Sequence, residues 1–98
     1  MTMRKKRYIV WGRVQGVGFR YFTQGVAKRR GLSGHVRNRD NGTVEVEALG
    51  TQAALEALDA ELRRGPPGAV VDRLEVHDVE PHPSEAHTPF LIARDRDA

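Results

Sequence analysis

The stretch TQAALEALDAELRRGPP, residues 51–67, limits the fold more than any other part of this chain. Ala54, Leu55, Leu58 and Leu62 recur at helical spacing and form one apolar stripe on an otherwise charged or small surface. Thr51 is placed to cap the helix, Arg63 and Arg64 suit its C-terminal end, and Gly65-Pro66-Pro67 stops it. A second helix of the same character begins at Phe19 or Arg20. Phe22, Val26 and Ala27 make its stripe, Lys28-Arg29-Arg30 place cations in its last turn, and Gly31 ends it. Gly25 inside this helix costs about 1 kcal/mol relative to alanine, and close packing against a sheet is the expected reason. Two helices with one stripe each can cover only one face of a sheet.

The sheet comes from five runs of period two or of continuous apolar character: residues 6–14, 33–39, 43–49, 70–79 and 90–94. In the first, Tyr8, Val10 and Val14 face one side and Ile9 and Trp11 the other, which predicts a central strand. In the third, Val44, Val46 and Ala48 alternate with Glu45 and Glu47, so one face is expected to be wet. In the fourth, Val71, Leu74, Val76 and Val79 are the apolar members. Between the second and third runs, DNGT predicts a hairpin turn with Asn41 and Gly42 both at positive φ. Asn41-Gly42-Thr43 also fits a glycosylation sequon, and the turn is the preferred reading. The order β-α-β-β-α-β plus a short edge strand predicts an α+β, ferredoxin-like sandwich: an antiparallel sheet with two helices on one face, in a single domain over residues 1–98. Such a fold assigns no function by itself.

With 98 residues the chain has room for one domain and one core. It has no cysteine, which excludes disulfides and thiolate chemistry. The opening is basic and then apolar, but residues 8–11 are too few for a signal-peptide core, and no run reaches membrane-spanning length. A cytoplasmic protein is expected. Net charge is +3, from 16 Lys and Arg against 13 Asp and Glu. The distribution matters more: eleven of the cations precede the first acid, Asp40. That half attracts small anions or phosphates, although a run of charge is also what a solvated surface looks like.

The loop QGVGFR, residues 15–20, joins the first strand to the first helix. Helix N-termini leave backbone N–H groups without partners and with partial positive charge. Gly16 and Gly18 let the chain curl so that these groups converge into an anion nest, and Arg20 adds a full charge on a planar fork suited to phosphate. The spacing equally fits a tight turn with a surface arginine. It fits neither nucleotide fingerprint: Tyr21 stands where a dinucleotide loop needs a third glycine, and no Gly-Lys-Ser/Thr follows.

GRVQGVGFRYF, followed by GLSGHVRNRDNGTVEVEALG, resembles the acylphosphatase family. The shared pattern is a strand ending in V-Q-G-V-x-F-R, then a G-x-V-x-N strand and a polar hairpin turn. PPGAVVDRLEV and the late FLI resemble the family's last two strands, so the likeness covers nearly the whole chain. It departs at His35, where the family usually has an aromatic, and at RDNG, which replaces the commoner proline- or aspartate-glycine turn. Both are expected to touch surface and packing rather than chemistry. The resemblance implies hydrolysis of acyl phosphates to carboxylate and phosphate with no metal or other cofactor. It implies a phosphate-binding loop of Gln15, Gly16, Val17, Gly18, Phe19 and Arg20, with Arg20 catalytic and Asn38 orienting water. The expected partners are a small acyl phosphate and inorganic phosphate as product or inhibitor, with no nucleic acid or membrane, and the chain is expected to be a monomer.

The chemistry agrees with that implication. Phosphoryl transfer needs positioning and charge stabilisation, a carboxylate leaves without a general acid, and an amide such as Asn38 both accepts and donates hydrogen bonds. Two alternatives fit the sequence less well. Glu80, His82, Glu85 and His87 share one loop, but Pro81, Pro83 and Pro89 break any regular ligand spacing, and a solvated loop is expected. A non-catalytic ligand- or RNA-binding module would share the fold, yet RNA binders stack bases on aromatics of the central strands, and TVEVEAL has none.

Overall fold

The computed structural model describes residues 2–85 and 88–95. In chain order they form β1 (Arg4–Arg13), α1 (Phe19–Arg29), β2 (Ser33–Asn38), β3 (Val44–Gly50), α2 (Gln52–Arg64), β4 (Val70–Val79), a 3-10 turn (Pro83–Glu85) and β5 (Phe90–Ile92). The strands make one sheet in the order β4-β1-β3-β2-β5. β1 is central, as its two-sided pattern required. It runs antiparallel to β3, from Arg4↔Gly50 to Val10↔Val44, and to β4, from Lys5↔Val79 to Arg13↔Val70. β2 pairs antiparallel with β3. The expected antiparallel pairing therefore holds for four strands, while β5 joins β2 in parallel and makes the sheet mixed. The route of the chain explains this. β4 finishes at the end of the sheet where β2 begins, so a strand started there runs alongside β2. β5 is also shorter than expected and ends at Ile92, with Ala93 N donating to Val36 O as the last bond.

One face of the sheet meets both helices. Tyr8, Val10 and Val14 of the first strand and its end, Val36, and Val44, Val46 and Ala48 pack with Phe19, Val26 and Ala27 of α1, with Leu55, Leu58 and Leu62 of α2, and with Phe90. Within the sheet, Gly34 in β2 marks a close backbone approach to β3. A Cβ there would lie 1.9 Å from Glu47 O, and its φ is 134°. The opposite face carries no helix and is polar, but it is drier than the alternation predicted. Glu45 is only 3% exposed, because His35, Arg37 and Arg39 pair with it.

Two local expectations change. The hairpin loop has three residues rather than two. Arg39 N donates to Thr43 O, and Gly42 N donates to Arg39 O. Asp40 and Asn41 thus occupy the centre of the turn, and Gly42 follows in the left-handed region at φ 89°. The Asn41 side chain supplies the reason: Oδ1 accepts from Thr43 N at 3.1 Å and from Thr43 Oγ1 at 2.6 Å. Gly25 also lacks the expected packing against the sheet. A Cβ there would meet only the Arg29 guanidinium, at 3.4 Å.

Candidate active site

Residues 15–18 leave β1 at the end of the sheet where β2 and β5 finish and β3 and β4 begin. Val14 and Phe19 are buried and anchor the loop at both ends. Between them Gly16 and Gly18 take φ of 75° and 77°, conformations that are inexpensive only for glycine. A Cβ at either position would meet nothing within 4 Å. Backbone shape rather than crowding therefore demands the glycines, and the space over the loop is open. Gly18 is also the N-cap of α1, which has no side-chain cap and no acidic residue in its first turn. α2 differs: Thr51 Oγ1 accepts from Ala54 N at 3.2 Å. The first amides of α1 thus keep their partial positive charge toward the loop.

The Gln15 side chain has a task that the sequence did not announce. Its Nε2 donates to Arg39 O at 2.8 Å and to Thr43 O at 2.9 Å, across the mouth of the β2–β3 hairpin. This amide ties the loop to the hairpin, and any contribution of Gln15 to an anion falls to its backbone N–H. Asn38, the last residue of β2, pairs with Val44, which pairs with Val10. That row lies on the helix-covered side of the sheet, at the same end as the loop. Asn38 Oδ1 is buried and has no hydrogen-bond partner among the described residues, and such an oxygen costs about 1–3 kcal/mol unless water or a ligand completes it. Arg20 stands in the first turn of α1, and its Nη1 donates to Asp95 Oδ1 at 3.2 Å. Asp95 follows β5, the neighbour of β2 in the sheet, so the guanidinium is drawn toward the β2 edge. The fold thus brings the 15–20 loop, Arg20 and Asn38 to one end of the sheet and adds Asp95 to them. No sequence signal marked Asp95, which lies in an ordinary charged tail.

Other clusters lead elsewhere. On the helix-free face, ligand-type atoms of His35, Glu45 and Glu47 lie within 4.8 Å of one another. The protein's own cations already serve them: Arg7 Nε donates to Glu47 Oε2 at 2.8 Å, Lys5 lies 3.4 Å from Glu47, and Arg37 lies 3.3 Å from Glu45. Burial alone would raise the Glu47 carboxyl. The Arg7 hydrogen bond and the charges of Lys5 and Arg7 outweigh it and hold the group below its ordinary value. Of the loop set Glu80, His82, Glu85 and His87, the last lies outside the described residues. Glu85 is bound to Lys5 at 2.5 Å, and His82 Nδ1 meets Ser84 Oγ at 2.7 Å. The base-stacking platform that an RNA-binding module needs is also missing among the described residues. Trp11 is engaged by Glu75 through Nε1 and by Arg73, 4.5 Å from its ring centroid, and glutamates fill the β3 positions beside β1. No helix among them is long and apolar enough to cross a membrane.

The family model described as acylphosphatase matches residues 6–92. The chain belongs to the acylphosphatase family. Acylphosphatases are hydrolases acting on acid anhydrides, with small acyl phosphates as substrates. The chain is 50% identical over 80 residues to an acylphosphatase of Koribacter versatilis (strain Ellin345), covering 82% of this chain and 73% of that one. It is 44% identical over 86 residues to an acylphosphatase of Thermotoga petrophila, covering 88% and 96%. The crystal structure of acylphosphatase from Bacillus subtilis superposes with a TM-score of 0.86 at 39% identity, over 94% of this chain and 99% of that one. The acylphosphatase match runs through the loop, Asn38 and β5, and the shared architecture is the ferredoxin-like sandwich that the order of elements predicted.

Proposed function

We propose that this acylphosphatase holds the phosphoryl group of its substrate on the 15–20 loop and Arg20, and directs water at phosphorus from Asn38, without a metal. The observation that carries this reading is the buried, unpartnered Oδ1 of Asn38 at the same end of the sheet as an open, uncapped helix N-terminus. The loop amides and the guanidinium stabilise charge on the equatorial oxygens as it shifts in the transition state. Arg20 exchanges Asp95 for phosphate. An exposed ion pair is worth about 0–1 kcal/mol, so a multiply charged phosphoryl group displaces it.

Asn38 Oδ1 accepts a hydrogen bond from the attacking water and aims it. The new P–O bond forms as the anhydride P–O bond breaks, and its electron pair leaves on the carboxylate. An amide is not a base, so the water proton passes to a phosphate oxygen. The leaving carboxylate is stable at neutral pH and needs no acid. Inorganic phosphate, the product, occupies the same loop and inhibits. A monomer acting in the cytoplasm completes the reading, supported by the cysteine-free sequence.

The test is hydrolysis of acetyl phosphate and benzoyl phosphate by the folded protein, with and without a chelator. Turnover that survives chelation is expected. No turnover overturns the reading, and turnover abolished by the chelator overturns its metal-free part.

A further inference from the structure

The acyl half of the substrate also needs a place. We infer that it lies on the turn formed by residues 65–69, and that this turn makes the site favour uncharged, apolar acyl groups. The inference rests on the hydrolytic reading above and adds a specificity site to it.

In-line displacement puts the attacking and leaving oxygens on opposite sides of phosphorus. The sheet order β4-β1-β3-β2 sets the directions. The phosphate loop continues β1. Asn38, which aims the water, ends β2 on one side of it. The acyl oxygen therefore departs on the other side, toward the start of β4. What stands there is the turn that carries α2 into β4, and it packs on the loop itself. A Cβ on Gly68 would lie 3.9 Å from Val17 Cγ1, and one on Gly65 would lie 3.2 Å from Phe19 Cε2.

The chemistry of the two sides differs. On the water side stand Arg20, Asn38 and Asp95. On the leaving-group side, residues 65–69 read Gly-Pro-Pro-Gly-Ala, without a charge or a side-chain hydrogen-bonding group. With Phe22 they line a groove of about 500 Å³, whose one charged lining residue among those described, Arg64, is bonded to Glu61. Two prolines and the bond from Ala69 N to Pro66 O at 3.1 Å hold the turn in shape. A preformed apolar wall beside a phosphate site suits an alkyl or aryl carbonyl group. It gives nothing to an acyl group that carries a second anion.

The experiment measures kcat/KM on acetyl, butanoyl, hexanoyl and benzoyl phosphate for the wild type, Pro67→Gln and Pro67→Val. Pro67 is exposed and lies outside the phosphate-binding residues. Wild-type kcat/KM should rise along the alkyl series, up to about fourfold for each methylene that reaches the wall. Pro67→Gln should lower the hexanoyl and benzoyl values about threefold or more through KM, with acetyl phosphate unchanged within twofold, and Pro67→Val should restore them. A flat wild-type series overturns the inference while leaving hydrolysis intact, as does an equal loss on acetyl and hexanoyl phosphate. If the variants fail to fold, the wild-type series alone decides. If no acyl phosphate is turned over, the hydrolytic reading falls, and calorimetry with methylphosphonate and hexylphosphonate still judges the groove. Tighter hexylphosphonate binding supports it, and equal affinities overturn it.

Discussion

At the scale of single residues, the mechanism we propose divides its labour between a charge and a dipole. In it Arg20 carries the charge that meets phosphate, while Asn38 offers an oxygen that nothing else in the described chain completes. Arg20→Gln should therefore raise the inhibition constant for inorganic phosphate and lower kcat. Asn38→Ala should lower kcat by about 10²-fold or more, with the phosphate constant changed less than threefold. Steady-state kinetics with phosphate as inhibitor separates the two, and equal loss of phosphate affinity in both would contradict the division. Asp95 is a competitor for the same guanidinium. Asp95→Asn should tighten phosphate inhibition by up to about fivefold, the size of an exposed pair, and an unchanged constant would show that its carboxylate is not in the way. The glycine turn was legible in the sequence because positive φ is inexpensive only for glycine, whereas the roles proposed for Arg20 and Asn38 came from the family resemblance, since a strand-end amide and a first-turn arginine have many ordinary uses. Asp95 was not legible, since it meets Arg20 across a separation of 75 positions that only folding closes.

At the scale of elements, α2 was the easiest to read. One stripe, a capping threonine and a Gly-Pro-Pro stop appear in the structure as Leu55, Leu58 and Leu62 buried and Thr51 bonded to Ala54 N. The hairpin was harder. Asn-Gly favours a two-residue turn on backbone grounds alone, and the Asn41 side chain selected the three-residue form by bonding Thr43. The direction of β5 was not readable, because a three-residue strand carries no mark of which way its neighbour runs. α1 holds a stability reserve. Gly25 sits mid-helix with only a long arginine side chain near its missing Cβ. Gly25→Ala should add about 1 kcal/mol, read as a higher urea midpoint with an unchanged slope. A fall in midpoint would mean that the helix needs the gap.

At the scale of the whole molecule, the helix-free face is a charge lattice rather than a wet surface. Lys5 binds both Glu47 and Glu85, so it joins the sheet to the segment that crosses from β4 to β5. Burial would pull the Lys5 ammonium down. The hydrogen bond to Glu85 and the charges of both carboxylates outweigh it and hold the group above its ordinary value. The Glu47 carboxyl is held below its ordinary 4.5. Its contribution is therefore complete above that unfolded value and disappears as pH falls through the lower folded one. Glu47→Gln should cost about 1 kcal/mol at pH 7, and the gap from wild type should close in strongly acidic buffer. Denaturation midpoints across pH check this, and a gap that persists at low pH would show that the carboxylate charge is not what stabilises.

The central place of β1 has a further consequence, in time rather than in space. The first strand made is the last to be completed: Val10 waits for Val44, and Lys5 waits for Val79. A ribosome that has made only the first half of the chain has produced the phosphate loop's sequence but not the neighbours that hold its shape. Pairings this distant make folding slow compared with a helical bundle of the same size. The basic N-terminal segment therefore lacks its partner strands until Val79 has been made, and the anion nest proposed for residues 15–20 can take its shape only after that.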